Sequence, residues 1–198
     1  GVFGTGWQAE SQLMAVCAVR KIKRVKCYSR NPEKRRAFAE KLSAITGAEV
    51  TPAENPEQAA RGQSILITAT SAREPFLSGD WIEPGQHLNV VGANYLSKSE
   101  VDPGVVAKAA IIAVDSIDQA RIEAGDLLPA IERGLINWES VTELGRIVAG
   151  QVKGRRSDQD ITLFKSGGIA IWDVSAALRV YNLARERGIG QSLNLWGE

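Results

Sequence analysis

The sequence predicts an α/β fold in which helices cover both faces of a doubly wound parallel sheet. Strand-like and helix-like segments alternate along the chain. Two of the strand-like segments, 65–67 and 111–114, are continuously apolar, which is typical of parallel strands buried on both faces. One helix has signals at both ends, because Asn31-Pro32 precedes it and Gly47 follows it. Such alternation favours right-handed βαβ crossovers within one sheet.

The predicted elements cover most of the chain. Strands are predicted at 1–3, 24–29, 49–51, 64–68, 87–91, 110–115 and 161–164, and helices at 8–19, 32–46, 56–61, 103–108, 119–124, 129–134 and 169–187. The helix at 32–46 repeats Phe38, Leu42 and Ile45 at helical spacing. We expect residues 1–168 to form the sheet domain and residues 169–198 to add a C-terminal helical segment. The polar segment 153–157 is a candidate linker.

Composition and charge exclude several classes of protein. Of the 198 residues, 44% are hydrophobic and 24% charged, as in an ordinary globular protein. The formal net charge of +1 provides no overall field for nucleic acid or anionic lipid. No apolar run approaches the ~20 residues of a membrane-spanning helix. Cys17 and Cys27 have neither metal-ligand nor disulfide spacing, so we expect buried thiols, no bound metal and a cytoplasmic location.

The first strand is unusually short for its position. Gly1-Val2-Phe3 directly precedes a glycine motif that normally follows a full strand, and strands average about 5–6 residues. The chain begins without Met and without a signal-peptide pattern. We therefore expect further sequence upstream of Gly1.

The strongest motif is a G-x-G-x-x-A pattern between the first strand and the first helix, formed by Gly4-Thr5-Gly6-Trp7-Gln8-Ala9. The first glycine permits a tight turn, the second lets the backbone approach a pyrophosphate, and the alanine keeps the helix close to the sheet. The strand–turn–helix context favours a Rossmann-type dinucleotide-binding domain. The alternative is a glycine turn in a sheet that binds no ligand.

The end of the second strand bears on the choice between NAD(H) and NADP(H). NAD sites usually place Asp or Glu there to hold the ribose 2′-hydroxyl, but no acidic residue lies between Glu10 and Glu33. Ser29 and Arg30 stand at this position instead, and a hydroxyl and a guanidinium suit a 2′-phosphate. NADP(H) is favoured and NAD(H) remains possible. The alternative for Arg30 is a solvated surface arginine.

Two further strand ends carry small and polar residues, at 68–71 and 89–94. Ligands of open α/β sheets bind at the carboxyl ends of the strands, so we expect a cofactor edge there, although strand-terminating loops would look the same. His87 opens a strand, where a structural role is favoured over catalysis.

In sequence order these segments resemble the ornithine cyclodeaminase/mu-crystallin family. Besides the glycine motif, the matching stretches are 28–34 (YSRNPEK), 68–75 (TATSAREP), 81–92 (WIEPGQHLNVVG), 123–127 (EAGDL) and 161–168 (ITLFKSGG). Family members also carry a preceding segment that helps to build a substrate-binding and dimerisation domain. That segment supplies an Arg and a Lys that bind the substrate carboxylate. Because the same domain forms the dimer contact, the resemblance also implies a homodimer in the full-length protein.

The resemblance implies three groups of cofactor-binding residues in addition to Gly4, Thr5 and Gly6. The pyrophosphate group is Trp7 and Gln8. The adenosine group is Ser29 and Arg30, with Thr70 nearby. The nicotinamide group is Val90, Val91, Gly92, Lys98 and Ser166.

The catalytic candidate is Asn94, which stands where the family's cyclodeaminases have an Asp that handles protons. An amide can orient an amine or a water but cannot act as a general acid or base. We therefore expect an NADP(H)-dependent oxidoreductase that acts on an amino or imino acid, of the ketimine reductase, pyrroline-carboxylate reductase or amino-acid dehydrogenase type. The alternatives are an NAD-dependent ornithine cyclodeaminase and a non-catalytic, mu-crystallin-like NADP(H)-binding protein. The chain by itself is expected to bind cofactor and to catalyse little.

Overall fold

A computed structural model of the protein describes residues 1–193. The strands are β1 (Val2–Phe3), β2 (Arg24–Tyr28), β3 (Glu49–Pro52), β4 (Ile65–Thr68), β5 (His87–Val90), β6 (Ile111–Val114), β7 (Val141–Glu143) and β8 (Thr162–Lys165). The helices are α1 (Trp7–Val19), α2 (Pro32–Thr46), α3 (Pro56–Ala60), α4 (Pro103–Lys108), α5 (Ile117–Glu123), α6 (Leu128–Glu132), α7 (Leu144–Val148) and α8 (Ala170–Glu186).

All strand pairs of the sheet are parallel, and the strand order is β3-β2-β1-β4-β5-β8-β6-β7. This order confirms the predicted doubly wound parallel sheet. The short strand β1 lies between β2 and β4, with Phe3 opposite both Tyr28 and Thr68. Thr68 in turn lies opposite Val90, and Val90 opposite Lys165. The loops that follow β1, β2, β4, β5 and β8 therefore share one edge of the sheet, which we call the carboxyl edge.

Local side chains explain where several helices begin and end. The Oδ1 atom of Asn31 accepts a hydrogen bond from the Lys34 amide at 2.9 Å, and Asn55 caps α3 in the same way through the Gln58 amide. Gly47 ends α2 in the left-handed conformation, with φ 71°. These contacts confirm the helix predicted at 32–46.

The apolar side chains form two clusters around the sheet. One cluster includes Phe3, Leu66 and Leu88 and extends toward β6 and β7. The other packs α1 and α2 against β1, β2 and β3, with Leu13 and Leu42 at 2% and 0% exposure. Burial on both faces matches the continuously apolar strand sequences.

The structure differs from the sequence predictions at three places. Strand β7 and helix α7 were not predicted, because three and five residues are too short to show a clear period. The candidate linker at 153–157 does not separate the two compact units, since the second unit begins at Gly168. Its Arg155 guanidinium instead donates hydrogen bonds to the carbonyls of Gly85 and Asp160 at 2.9 and 2.7 Å. Cys27 is buried as predicted, whereas Cys17 is only half-buried.

The described chain divides into two compact units, and the second begins at Gly168. Its main element is the 17-residue helix α8. The last five residues of the predicted C-terminal segment, 194–198, lie outside the described residues. Within residues 1–193 we find no helix that is both long enough and apolar enough to span a bilayer.

Candidate dinucleotide-binding site

The glycine loop joins β1 to α1 at the carboxyl edge. Gly4 has φ +103°, and a Cβ atom at this position would collide with the carbonyl oxygen of Ala69. Its amide donates to the Tyr28 carbonyl at 2.9 Å, which holds the turn against β2. A larger residue at position 4 would therefore be strained and also blocked by the backbone of the neighbouring strand end.

Gly6 has a different role, because its backbone is in an extended conformation that any residue can adopt (φ −93°). A Cβ atom at this position would have nothing within 4 Å, so open space lies in front of the first turn of α1. The first amides of a helix have no intrahelical partner and carry a partial positive charge. Trp7 and Gln8 are exposed at this helix end, and Thr5 is half-buried. The loop thus suits a bound pyrophosphate.

The end of β2 carries hydrogen-bonding and cationic groups. The Ser29 hydroxyl donates to the Asn31 carbonyl at 3.1 Å, and Arg30 is exposed. Beneath them the Arg35 guanidinium is buried and lies 5.2 Å from the centroid of the Tyr28 ring. An exposed guanidinium next to a hydroxyl can bind a phosphate monoester.

Glu100 joins the ends of β4 and β5, and the sequence analysis did not identify it. Its carboxylate is fully buried. Oε1 accepts from the amide and the hydroxyl of Thr70 at 2.6 and 2.7 Å, and Oε2 accepts from the Thr68 hydroxyl at 2.7 Å and the Gly92 amide at 2.8 Å. A Cβ atom on Gly92 would collide with Glu100 and Thr70. The close approach of the ends of β4 and β5 therefore requires a glycine at position 92.

Burial raises the pKa of Glu100 above its ordinary value, while the hydrogen bonds from Thr70 and Thr68 act in the opposite direction. The carboxylate is fixed by four donors and has no exposed surface. It therefore holds the strand ends together from inside the protein.

Lys165 and Asp126 form a second buried polar contact next to Glu100. Both side chains are 1% exposed, and Lys165 Nζ lies 3.3 Å from Asp126 Oδ2. The ammonium also donates to the carbonyls of Val90, Ala93 and Ser166. A sequence signal for this site exists, since a lysine that directly follows the apolar pair Leu163-Phe164 of a strand needs a partner if it is buried.

Asp126 uses its other oxygen to hold the segment that follows the β5 loop. Oδ1 accepts from the amides of Glu100 and Val101 at 2.6 and 3.3 Å, and from the Ser99 hydroxyl at 3.1 Å. The carboxylate therefore connects Lys165 to the backbone on both sides of Glu100.

The loop after β5 carries the remaining predicted residues. Asn94 is exposed, and the ammonium of Lys98 lies 4.8 Å from the centroid of the Tyr95 ring. Val91 is half-buried, and its amide donates to the Thr68 carbonyl at 2.9 Å. The Val90 side chain is fully buried in the core. Of the nicotinamide group predicted from the family resemblance, Val90 is the one residue that is fully buried, and the other four are partly exposed.

Ser166 completes the carboxyl edge beyond β5. Its amide donates to the Val90 carbonyl at 3.0 Å, and its hydroxyl lies 2.8 Å from Asp115 Oδ2, which also accepts from the Gly167 amide at 2.9 Å. A carboxylate only accepts, so the Ser166 hydroxyl donates to it and keeps its lone pairs for a further donor.

His87 lies at the other end of β5, away from the carboxyl edge. Its ring nitrogens lie 2.8 Å from Thr162 Oγ1 and 3.1 Å from Asn89 Oδ1. Burial lowers the pKa of the imidazole. This placement favours the structural role, and no group of three potential metal-ligating side chains occurs in residues 1–193.

The predicted residues thus gather at one edge. Gly4 packs against the Ala69-Thr70 segment, Thr70 shares Glu100 with Gly92, and Ser166 is hydrogen-bonded to the end of β5. A row of this kind, with a helix N-terminus near one end and polar loops at the other, can hold an extended ligand that has an anionic centre.

Comparison with known proteins agrees with this geometry. The Δ1-pyrroline-2-carboxylate reductase of Bacillus cereus is 36% identical over 193 residues, which are 97% of this chain and 59% of that protein. The solved structure of Thermococcus litoralis Δ1-pyrroline-2-carboxylate reductase in complex with NADH and L-proline has a TM-score of 0.91 and 39% identity, covering 98% of this chain and 60% of that one. A solved archaeal alanine dehydrogenase dimer with bound NAD has a TM-score of 0.88 and 34% identity, covering 99% and 60%.

This chain spans about three fifths of the length of these relatives. The profile of the ornithine cyclodeaminase/mu-crystallin family matches residues 1–188, nearly the whole chain. The resemblance predicted from the sequence motifs is confirmed, and the chain belongs to the ornithine cyclodeaminase/mu-crystallin family.

Proposed function

We propose that this chain forms the dinucleotide-binding part of an oxidoreductase that acts on an amino or imino acid. The observation that carries the proposal is the glycine loop. Gly4 has a conformation and a packing environment that only glycine tolerates, and Gly6 leaves open space before the first turn of α1. The solved relatives that contain NADH or NAD support a dinucleotide as the ligand.

The substrate class follows from the relatives together with Asn94. Two relatives are named for reducing Δ1-pyrroline-2-carboxylate and one for dehydrogenating alanine, and all three names describe oxidation or reduction at the carbon that bears the nitrogen. The nicotinamide ring, when bound, supplies or accepts the hydride. Asn94 is exposed at the carboxyl edge, where its amide would orient a substrate amine or a water without exchanging a proton. This favours reduction over deamination.

We further infer that NADP(H) is the preferred cofactor. Arg30 is exposed next to the Ser29 hydroxyl, and this end of β2 has no carboxylate of its own to repel a 2′-phosphate. The NADH and NAD in the solved relatives make NAD(H) the competing choice.

For the whole protein we infer a homodimer in the cytoplasm. The archaeal alanine dehydrogenase is described as a dimer, which supports the first inference. The cytoplasmic location rests on Cys17 and Cys27, which have no disulfide spacing.

The test is calorimetric titration of the chain with NADPH and with NADH, repeated on Arg30→Ala. We expect NADPH to bind more tightly, and Arg30→Ala to weaken it by about 1.5–3 kcal/mol, the range for hydrogen bonds to charged groups. Arg36→Ala is the matched control, because Arg36 is also exposed but lies within α2 rather than at the strand end.

The other outcomes separate the alternatives. Tight NADH binding that does not depend on Arg30 would contradict the NADP(H) preference and leave NAD(H) as the cofactor. Retained NAD together with ammonia release and no net cofactor turnover, in a protein that also includes a substrate-binding segment, would favour an NAD-dependent cyclodeaminase. NADPH binding without reduction of Δ1-pyrroline-2-carboxylate, in a protein that also includes a substrate-binding segment, would favour the non-catalytic alternative. Failure to bind either dinucleotide would overturn the proposal.

A further inference from the structure

Three charged side chains lie inside the protein at the carboxyl edge. The exposed fraction is 1% or less for each of Glu100, Asp126 and Lys165. Asp126 is in contact with the other two, through the Glu100 amide and the Lys165 ammonium. We call these three residues the internal charge network. Buried charges are rare in proteins because their desolvation is costly, so the contacts that compensate it are informative.

Four of these contacts go to the backbone at the two ends of one loop, residues 91–99. On the side nearest β5, Lys165 donates to the carbonyls of Val90 and Ala93. On the other side, Asp126 accepts from the amides of Glu100 and Val101. The loop is therefore attached at both ends to a buried ion pair with directional hydrogen bonds.

The middle of the loop is shaped by a glycine of another segment. A Cβ atom on Gly125 would collide with the Lys98 carbonyl and would lie 2.6 Å and 2.7 Å from the carbonyl oxygens of Tyr95 and Leu96. The loop wraps around this position, and Asn94 remains exposed on the outside. The path of the loop leaves little freedom for the groups that it presents.

Glu100 fixes the same loop relative to the end of β4. The amides of Thr70 and Gly92 both donate to its carboxylate, at 2.6 and 2.8 Å. Both amides therefore point inward, and the orientation of the two peptide planes at the edge is set by one buried group.

Stability by itself is a weak explanation for such a network. Replacement of a buried ion pair by well-packed apolar residues is often neutral or stabilising. An apolar cluster of equal volume would fill the same space, but it would not orient the carbonyls and amides of a particular loop.

We propose that Glu100, Asp126 and Lys165 are positioning residues for the nicotinamide half of the dinucleotide. They hold the loop 91–99 in the arrangement that receives the ring, and within the described part of the chain none of their hydrogen bonds or ion pairs goes to the glycine loop or the end of β2. The inference rests on the proposed dinucleotide site and assigns these three residues to one half of it.

The test compares NADH with ADP-ribose, which lacks the nicotinamide ring, by calorimetric titration of the chain and of Glu100→Gln. In either orientation the Gln amide group faces the Thr70 or the Gly92 amide, donor against donor. We expect the dissociation constant of NADH to rise about tenfold, the effect of about 1.4 kcal/mol. That of ADP-ribose should rise by less, because Thr70 is the one residue of the adenosine group that Glu100 contacts. Lys165→Met, which removes the hydrogen bonds to the Val90 and Ala93 carbonyls, should shift the ratio of the two dissociation constants in the same direction.

Gln86→Met is the matched control. Gln86 is also buried, and its side chain donates to the carbonyls of Ala60 and Gln63, but it precedes β5 and so lies at the opposite edge of the sheet. It should leave the ratio of the two dissociation constants unchanged.

Three results would overturn the positioning role. One is an equal loss of affinity for both ligands in Glu100→Gln. Another is a shifted ratio in Gln86→Met, and the third is equal affinity of the unmodified chain for NADH and ADP-ribose. Binding of neither ligand by the unmodified chain would instead contradict the proposed dinucleotide site.

Discussion

The loop after β1 and the loop after β5 lie at the same edge of the sheet, but different forces fix their shapes. The first loop depends on the conformation of Gly4 and on the apolar cluster beneath it, in which Ala9 and Leu13 are buried. The second depends on buried charges, with Lys165 and Asp126 holding its backbone. A loop that only has to approach a pyrophosphate can be specified by a missing side chain, whereas a loop that must orient polar groups needs directional bonds.

The largest expected effect on stability comes from Lys165→Met, which removes the buried cation that holds the loop after β5. The Asp126 carboxylate, 1% exposed, would lose its cationic partner inside the protein. Removal of one member of a buried ion pair costs about 3–5 kcal/mol of the free energy of unfolding. Urea unfolding followed by circular dichroism measures this loss. A loss below about 1 kcal/mol would mean that water reaches the site and that the pair is not the anchor.

Gly4→Ala is the corresponding change in the first loop, with a smaller effect on stability and a larger one on binding. A positive φ in a non-glycine residue costs about 1–3 kcal/mol, and the collision with the Ala69 carbonyl adds to it. We expect loss of NADPH and NADH binding together, measured by calorimetry.

Gly6→Ala is its control, because position 6 has an ordinary φ and open space. The free energy of unfolding should change by less than about 1 kcal/mol, the scale of an altered N-cap. Dinucleotide binding should still weaken, because the added methyl group occupies the space in front of α1. Normal binding by Gly6→Ala would exclude a close approach of the ligand to this loop.

The smallest effect concerns pH. Because burial raises the pKa of Glu100 above its ordinary value of 4.5, the folded protein retains this proton at pH values where the unfolded chain has released it. This contribution makes the free energy of unfolding fall as the pH rises above about 4.5. Glu100→Gln should remove this contribution, so the free energy of unfolding of the variant should fall less steeply with pH than that of the unmodified protein. His87 is present in both proteins, so its contribution cancels in the comparison. Parallel unfolding profiles would contradict the raised pKa.

Sequence reasoning succeeded for the first loop and failed for the charges beneath the second. The turn at Gly4, the Asn31 cap and the end of α2 at Gly47 depend on residues within a few positions of one another, and the sequence predicts all three. Glu100, in contrast, meets Thr68 across 32 residues, and Lys165 meets Ala93 across 72. No local period or spacing encodes such contacts.

The order of the strands in the sheet explains why the sequence predicts the first loop but not the buried contacts of the second. The sequence predicted a strand at 161–164 without placing it, and the structure inserts β8 between β5 and β6. This insertion carries Lys165 under the end of β5 and places Ser166 beside the Val90 carbonyl. The family resemblance named Ser166, but the pairing of β8 with β5 is what brings it to the edge.

By itself the sequence determined the alternation of strands and helices, the turn at Gly4 and the cationic end of β2, because each follows from the conformational and chemical preferences of neighbouring residues. Only the tertiary structure decided that Glu100, Asp126 and Lys165 meet inside the protein. The physical reason is that a buried charge is tolerated only where partners from distant segments surround it, and those partners are set by the order of the strands in the sheet.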